Sequence, residues 1–214
     1  MQLIKPSIKL EFVTPDALRL IETAGRTCYK SEDKITSGSA IDFVQMILKR
    51  GHDSVLEHCN ATVRFICDRG VSHEIVRHRI ASFSQESTRY CDYESGHVAF
   101  IIPPWVTIPA GIYVPGECPS SNNEDYEWFN AMWDARCRYK TLREHGWKPE
   151  QARSVLPNSL KTEIVMTGNF REWRHFFRLR SSAISLAAHP QMREVADLAL
   201  AEMRQQVRVV FSDL

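Results

Sequence analysis

The stretch from 73 to 90, HEIVRHRIASFSQESTRY, constrains this chain more than any other. It sets Arg77, His78, Arg79 and Arg89 among the hydroxyl residues Ser82, Ser84, Ser87 and Thr88, and after the triplet only Gln85 and Glu86 bring an amide or an acid. Guanidiniums gathered so closely repel one another, so a fold must leave them in water or set an anion between them. A solvated basic turn usually mixes lysine with glutamate. Lysine is absent here, and the planar fork of arginine suits phosphate, carboxylate or a pyrimidine edge, with hydroxyls as further donors. The stretch reads as an anion site.

The remainder of the chain bounds what that site can serve. A length of 214 residues implies one domain, 1–214. Hydrophobic content of 43% with 25% charged residues is that of a soluble globular protein. The formal net charge of +1 argues against a general nucleic-acid coat, and 19 arginines against 8 lysines favour specific oxyanion contacts. No apolar run is long enough to span a membrane, and MQLIKPSIKLEF has no signal-peptide core. Six cysteines without a CxxC pair read as reduced thiols, hence a cytoplasmic protein.

Local patterns place the elements. Residues 7–13 alternate as a short strand, and Thr14-Pro15-Asp16 opens a helix with Thr14 as cap and a stripe through Leu18, Ile21 and Cys28 towards Tyr29. A second helix covers 39–50, with Ile41, Val44, Ile47 and Leu48 on one face and Gly51 at its end. HDSVLEHC leads into a strand at 61–67, and after Gly70 a short helix at 71–79 carries the triplet at its end. Residues 97–109 suggest a short strand and a loop, and VPGECPSSNNED a longer loop. Asn122 or Asn123 caps a helix to about 145, with Tyr126, Phe129, Met132, Trp133 and Tyr139 as its apolar side and Gly146 as its stop. PEQARSVLP is helical up to Pro157, a strand follows at 160–167, and an amphipathic helix covers 190–211.

Between these lies FREWRHFFRLRSS, where Trp173, Phe176, Phe177 and Arg180 share a helical face. Arg180 thus closes an aromatic stripe, while Arg171, Arg174 and Arg178 line another face, solvated or turned to a ligand. A metal site is not expected: His73 and His78 would stand about 140° apart on a helix and miss the spacing of the zinc HExxH pattern. Neither GxGxxG nor GxxxxGK[ST] occurs, so phosphates must be held by side chains.

Arg77-His78-Arg79, seven residues, Ser87 and then Arg89-Tyr90 resemble the signature of flavin-dependent thymidylate synthases. Gly51-His52-Asp53-Ser54-Val55-Leu56-Glu57-His58 is similar to a second segment of that family, and Ala152-Arg153-Ser154-Val155-Leu156-Pro157 to a third. The resemblance runs, with gaps, from Gly51 to Arg180. It implies an α+β fold, an antiparallel sheet with flanking helices, assembled as a homotetramer with active sites shared between subunits. It also implies reductive methylation of dUMP to dTMP, with FAD reduced by NADPH and 5,10-methylenetetrahydrofolate as carbon donor. Methylene transfer would run through the flavin, without a cysteine nucleophile.

Residue by residue, the resemblance implies flavin contacts from Ser54, Arg77, His78, Arg79, Gln85, Asn169, Arg171 and His175. It implies nucleotide contacts from Glu74, Arg77, Gln85, Ser87, Arg89, Arg153 and Arg180, with Arg180 as the catalytic group. Gln85 stands where a glutamate is common in the family, Glu74 where a glutamine is, and His175 where an asparagine is. From the residues alone two other readings stay open. One is a nucleic-acid module stacking bases on Phe83 and Tyr90. The other is a metal phosphohydrolase built on the histidines.

Overall fold

The computed structural model describes residues 1–93 and 98–214, so residue 97, where the apolar stretch 97–109 begins, lies outside the described residues. In chain order come β1 (Gln2–Ile4), β2 (Ser7–Val13), α1 (Ala17–Tyr29), α2 (Ser39–Lys49), β3 (Asn60–Asp68), α3 (Arg69–Ile75), β4 (Ala81–Gln85) and β5 (Ala99–Ile101). After these come β6 (Gly111–Ile112), α4 (Asn123–Glu144), α5 (Pro149–Ala152), β7 (Lys161–Asn169), α6 (Phe170–Arg180), α7 (Pro190–Gln206) and α8 (Arg208–Phe211). The fold is α+β, with sheets in the orders β5-β1-β6 and β2-β3-β7-β4. The described residues divide into two compact units interleaved along the sequence.

The first unit holds Met1–Ser7, Ile66–Ile75 and Ser84–Ile164. Here β1 pairs in parallel with β5 and antiparallel with β6, with Leu3 opposite Phe100 on one side and Gly111 on the other. Leu3, Phe100, Ile102, Val106, Ile108, Phe129, Met132 and Leu160 form its core. The side-chain oxygen Oδ1 of Asn122 accepts the Glu124 amide at 2.9 Å and caps α4, as the sequence suggests. Gly146, at φ 84°, ends that helix in a conformation open to glycine. The buried row of α4 is Asp125, Phe129, Met132 and Tyr139, so Tyr126, one residue further round, faces out at 49% exposure. Asp125 sits in that row because it accepts the Thr107 amide at 3.2 Å and the Ser120 hydroxyl at 3.0 Å.

The second unit holds Ile8–Phe65, Val76–Phe83 and Val165–Leu214. Its aromatic core is built on α6. Trp173 lies 5.4 Å from Phe176 and 5.7 Å from Phe177, while Phe65 lies 6.0 Å from Phe176, and Phe211 of α8 lies 5.8 Å from Phe177. Each ring so buried contributes roughly 1.5–3 kcal/mol. The Trp173 indole N–H donates to the Ala61 carbonyl at 3.0 Å, which satisfies its one polar atom. α1 meets α2 where Gly25 faces Phe43: a Cβ at Gly25 would stand 2.6 Å from the ring. Glu22, fully buried, takes two bonds from Arg26, at 2.9 and 3.1 Å, and one from Ser39 of α2 at 2.9 Å.

Several expectations are corrected here. Thr14 does not cap α1. Its hydroxyl pairs with the Asn60 backbone, accepting N–H at 2.8 Å and donating to C=O at 3.1 Å. The cap residue is Asp16, at φ 48° and without a side-chain bond. The buried face of α1 is Ala17, Ile21, Glu22 and Gly25, and Cys28 and Tyr29 are exposed. On α2 the inward residues are Phe43, Val44 and Ile47, with Ile41 48% exposed. The segment leading into β3 takes the form of a 3-10 turn at Asp53–His58, a form the sequence did not announce. α3 stops at Ile75, so the triplet lies beyond the helix, and β4, which the sequence did not announce, follows it. The last helix breaks at Val207, where φ −137° and ψ 59° separate α7 from α8. Arg174 is not solvated or turned to a ligand. It is 2% exposed, and its two Nη groups meet the Asp213 carboxylate at 2.7 and 2.6 Å, with the Val210 carbonyl as a further acceptor.

Candidate active site

In the second unit the Arg77-His78-Arg79 turn and one face of α6 line a cavity of about 330 Å³. Its walls are Arg77, His78, Arg79, Ile80, Glu172, His175, Leu179 and Arg180. The turn is irregular, whereas α6 is held rigid by its aromatic face, so the helix fixes the geometry of the site. Asn169 starts α6 by accepting the Glu172 amide on its side-chain oxygen at 2.9 Å. A larger cavity of about 720 Å³ beside the start of α1 and the α7–α8 joint gathers none of the motif residues.

His78 is the buried centre of this site, at 5% exposure. The Nε–H of Arg180 donates to its Nε2 at 3.2 Å. Arginine can only donate, so Nε2 carries a lone pair and the ring proton sits on Nδ1. Nδ1 lies 3.3 Å from Oε1 of Glu172 and donates to it. Burial, reinforced by Arg180 and His175, lowers the His78 pKa to about 4, so the ring is neutral at pH 7 and its bond to Glu172 is not an ion pair. Burial also raises the Glu172 carboxyl above its ordinary value, against the opposing pull of His175. The imidazole edge packs on Phe176, with centroids 4.8 Å apart, and the exposed His175 ring lies 6.0 Å away.

Around the cavity, Arg77 and Arg79 are exposed and make no hydrogen bond or ion pair with any described residue. Arg171 is bound to Glu57 of the 3-10 turn at 2.6 Å, an exposed pair that raises its pKa. Ser54 is exposed on the same turn. Three guanidiniums, a neutral imidazole and an exposed histidine fit a polyanionic ligand such as a dinucleotide pyrophosphate. Among the described residues no group of three His, Cys, Asp or Glu is placed to hold a metal ion.

The other named residues lie in the first unit. Gln85 donates through Nε2 to Ser72 Oγ at 2.9 Å and Thr162 Oγ1 at 3.2 Å. Ser72 spends its own proton on the Arg69 carbonyl at 2.9 Å, so it can only accept from Gln85, which fixes the amide orientation. The carbonyl oxygen is then what Gln85 can offer a ligand. Ser87 Oγ accepts the Arg89 amide at 3.3 Å and has no histidine or lysine partner among the described residues. Arg153 donates to Thr88 Oγ1 at 2.9 Å. Arg89 stands 3.7 Å from Glu150, an exposed pair worth little, with its guanidinium 5.4 Å from the Tyr90 ring centre. Glu74 is half-buried on α3.

From the sequence alone, no role falls to Glu172 or Thr88. Glu172 was legible in principle, because Glu172, His175 and Leu179 repeat at three and four residues and so share the cavity face. Thr88 was one of the hydroxyls noted, but its tie to Arg153 spans 65 residues and has no local signal.

Comparison with known proteins identifies the family. Residues 9–207 match the family model described as thymidylate synthase complementing protein. The flavin-dependent thymidylate synthase of Corynebacterium diphtheriae is 33% identical over 96% of this chain and 82% of its own length. Among solved structures, the UMP/dUMP methylase PolB of Streptomyces cacaoi with bound 5-Br dUMP aligns with a TM-score of 0.79 at 24% identity, over 99% of this chain and 96% of its own. Thymidylate Synthase X of Helicobacter pylori with FAD and dUMP aligns with a TM-score of 0.76 at 23% identity, over 97% and 98%. At these identities the two structures speak for the fold, and the relatives by sequence for the family. The chain belongs to the flavin-dependent thymidylate synthases and is a methyltransferase.

Proposed function

We propose that this protein converts dUMP to dTMP by reductive methylation, with bound FAD, NADPH as reductant and 5,10-methylenetetrahydrofolate as carbon donor. The observation that carries this reading is the cavity in which Arg77, Arg79 and Arg180 converge around neutral His78, with Arg77 and Arg79 bound to no described acid. The family membership and the FAD and dUMP held by the Helicobacter pylori relative support the same ligands.

FAD supplies the capacity to carry the one-carbon unit and the reducing electrons, so the chain needs no cysteine nucleophile. Its phosphates fall to Arg77 and Arg79, with Ser54, Asn169, Arg171 and His175 as further contacts of the cofactor. Arg180 acts on the uracil. A guanidinium beside N3 and O2 favours the anionic, enolate-like ring whose C5 is electron-rich, and half-burial at the end of an aromatic face strengthens that effect. Ser87, Arg89 and Arg153 bind the nucleotide, and Gln85 contributes its carbonyl oxygen, with Glu74 beside them in the same set. Ser87 serves as donor rather than nucleophile, since no base among the described residues partners its hydroxyl. The enzyme acts as a homotetramer whose sites draw on more than one subunit. No helix among the described residues is long and apolar enough to cross a membrane, in keeping with a cytoplasmic enzyme acting on small molecules and not on nucleic acid.

Titration of the purified protein with FAD, followed by quenching of flavin fluorescence, tests the cofactor assignment. Saturable binding that Arg79→Ala weakens by about tenfold, the worth of one charge-assisted bond, is the expected result. A folded protein that binds no flavin contradicts the proposal.

A further inference from the structure

We propose that Glu172 is a positioning residue that acts through His78 to hold the guanidinium of Arg180. The inference rests on the reading of Arg180 as the residue that activates the pyrimidine. Three polar groups stand in line within one unit: the Glu172 carboxylate, the His78 ring at 3.3 Å and the Arg180 Nε at 3.2 Å. Each link fixes the next. Glu172 starts at the first turn of α6, with its amide tied to Asn169, and its side chain is 8% exposed. Its oxygen takes the Nδ1 proton, so His78 must present a bare Nε2 to Arg180.

The alternative tautomer would set an N–H of His78 against the Nε–H of Arg180, two donors face to face. Without Glu172 only the Arg180 Nε–H favours this tautomer, while the Nδ1 proton loses its acceptor in a buried site, so the ring populates both forms. Arg180 would then lose this bond for part of the time, and its guanidinium would hold its present orientation less firmly. Misorientation of a preorganised donor slows the chemical step without weakening ground-state binding to the same degree. Phe176 closes one side of the ring and His175 stands on another, so the histidine is held in place by packing while its protonation pattern is set by Glu172.

Two substitutions separate the hydrogen bond from the charge. Glu172→Gln removes the negative charge but keeps an oxygen that can accept the Nδ1 proton, and Glu172→Ala removes both. In the FAD-loaded enzyme, Glu172→Ala is expected to lower kcat about tenfold with KM for dUMP changed less than about threefold, the scale of one lost hydrogen bond. Glu172→Gln should recover most of that loss. Nitrogen-15 spectra of the His78 ring should show the Nδ1–H form in the unmodified enzyme and a mixture in Glu172→Ala. In the double variant with Arg180→Lys, turnover should be no slower than in Arg180→Lys alone.

Equal slowing by Gln and Ala would assign the effect to charge and overturn the proposal. So would losses that multiply in the double variant, or a Glu172→Ala enzyme of unchanged kcat beside a slow Arg180→Lys. If Arg180→Lys itself turns over normally, the role of Arg180 falls, and the ring spectra still decide whether Glu172 sets the His78 tautomer. Should Glu172→Ala fail to fold, the spectra of Glu172→Gln decide: an Nδ1–H ring supports the relay, and an Nε2–H ring overturns it.

Discussion

The Nε–H of Arg180 donates to Nε2 of His78 at 3.2 Å, so the residue that ends the aromatic face of α6 is anchored to the middle of the arginine triplet. A lysine at this position keeps the charge but has no Nε–H and no planar fork. Arg180→Lys should therefore leave the protein folded and able to bind flavin, with turnover lowered on the order of 100- to 1000-fold. Steady-state kinetics beside a flavin titration check this. Near-normal turnover would reduce Arg180 to a charge at a helix C-terminus, worth under about 1 kcal/mol.

His78 gives the protein a particular sensitivity to acid. Its folded pKa of about 4 lies below the ordinary 6.5, so the unfolded chain takes up the proton first as pH falls. Stability from this group is fully present above pH 6.5 and is lost between there and 4, by about 3 kcal/mol at the acid end. Glu172, raised above its ordinary value, runs the other way and offsets part of the loss. His78→Gln should flatten the slope of unfolding free energy between pH 6.5 and 4 in denaturant titrations. An unchanged slope would show that the histidine is not held neutral.

Arg174 and Asp213 tie α6 to the residues beyond α8. Because Arg174 is buried, Asp213→Asn leaves its guanidinium with a weaker partner in a dry site. The carboxylate is 51% exposed, so the expected cost is only about 1–2 kcal/mol by urea denaturation. Arg174 holds the Asp213 pKa below the usual carboxylate range. The pair's contribution should thus persist at neutral pH and vanish as pH falls through that lowered value.

Gly25 is required by distance rather than by backbone angle. Gly25→Ala should force Phe43 out of place and cost about 1–3 kcal/mol, with α1 and α2 still formed. A variant as stable as the parent would mean that the ring moves without resistance.

What could be read in the sequence was local. β2, the Asn122 cap, the Gly146 stop and the aromatic face of α6 each announce themselves within one or two turns of chain. The triplet was legible as chemistry, since a cluster of arginines without lysine asks for an anion. Its setting was not. β4 carries Ser82 and Ser84 on its exposed side and lacks an apolar run, and it becomes a strand by pairing beside β7, distant in sequence. Arg174 looked solvated because its partner, Asp213, is 39 residues away. The His78 tautomer depends on Glu172, 94 residues downstream, and no periodicity in either segment reveals that bond.

The central claim is that this chain makes dTMP with a flavin in its arginine-lined cavity. The most direct test is dTMP formation from dUMP, 5,10-methylenetetrahydrofolate and NADPH by the purified protein, measured with FAD present and with FAD removed. The account predicts product only with FAD, with tetrahydrofolate released in equal amount. No dTMP from a folded, flavin-loaded protein, or the same yield without flavin, would contradict it.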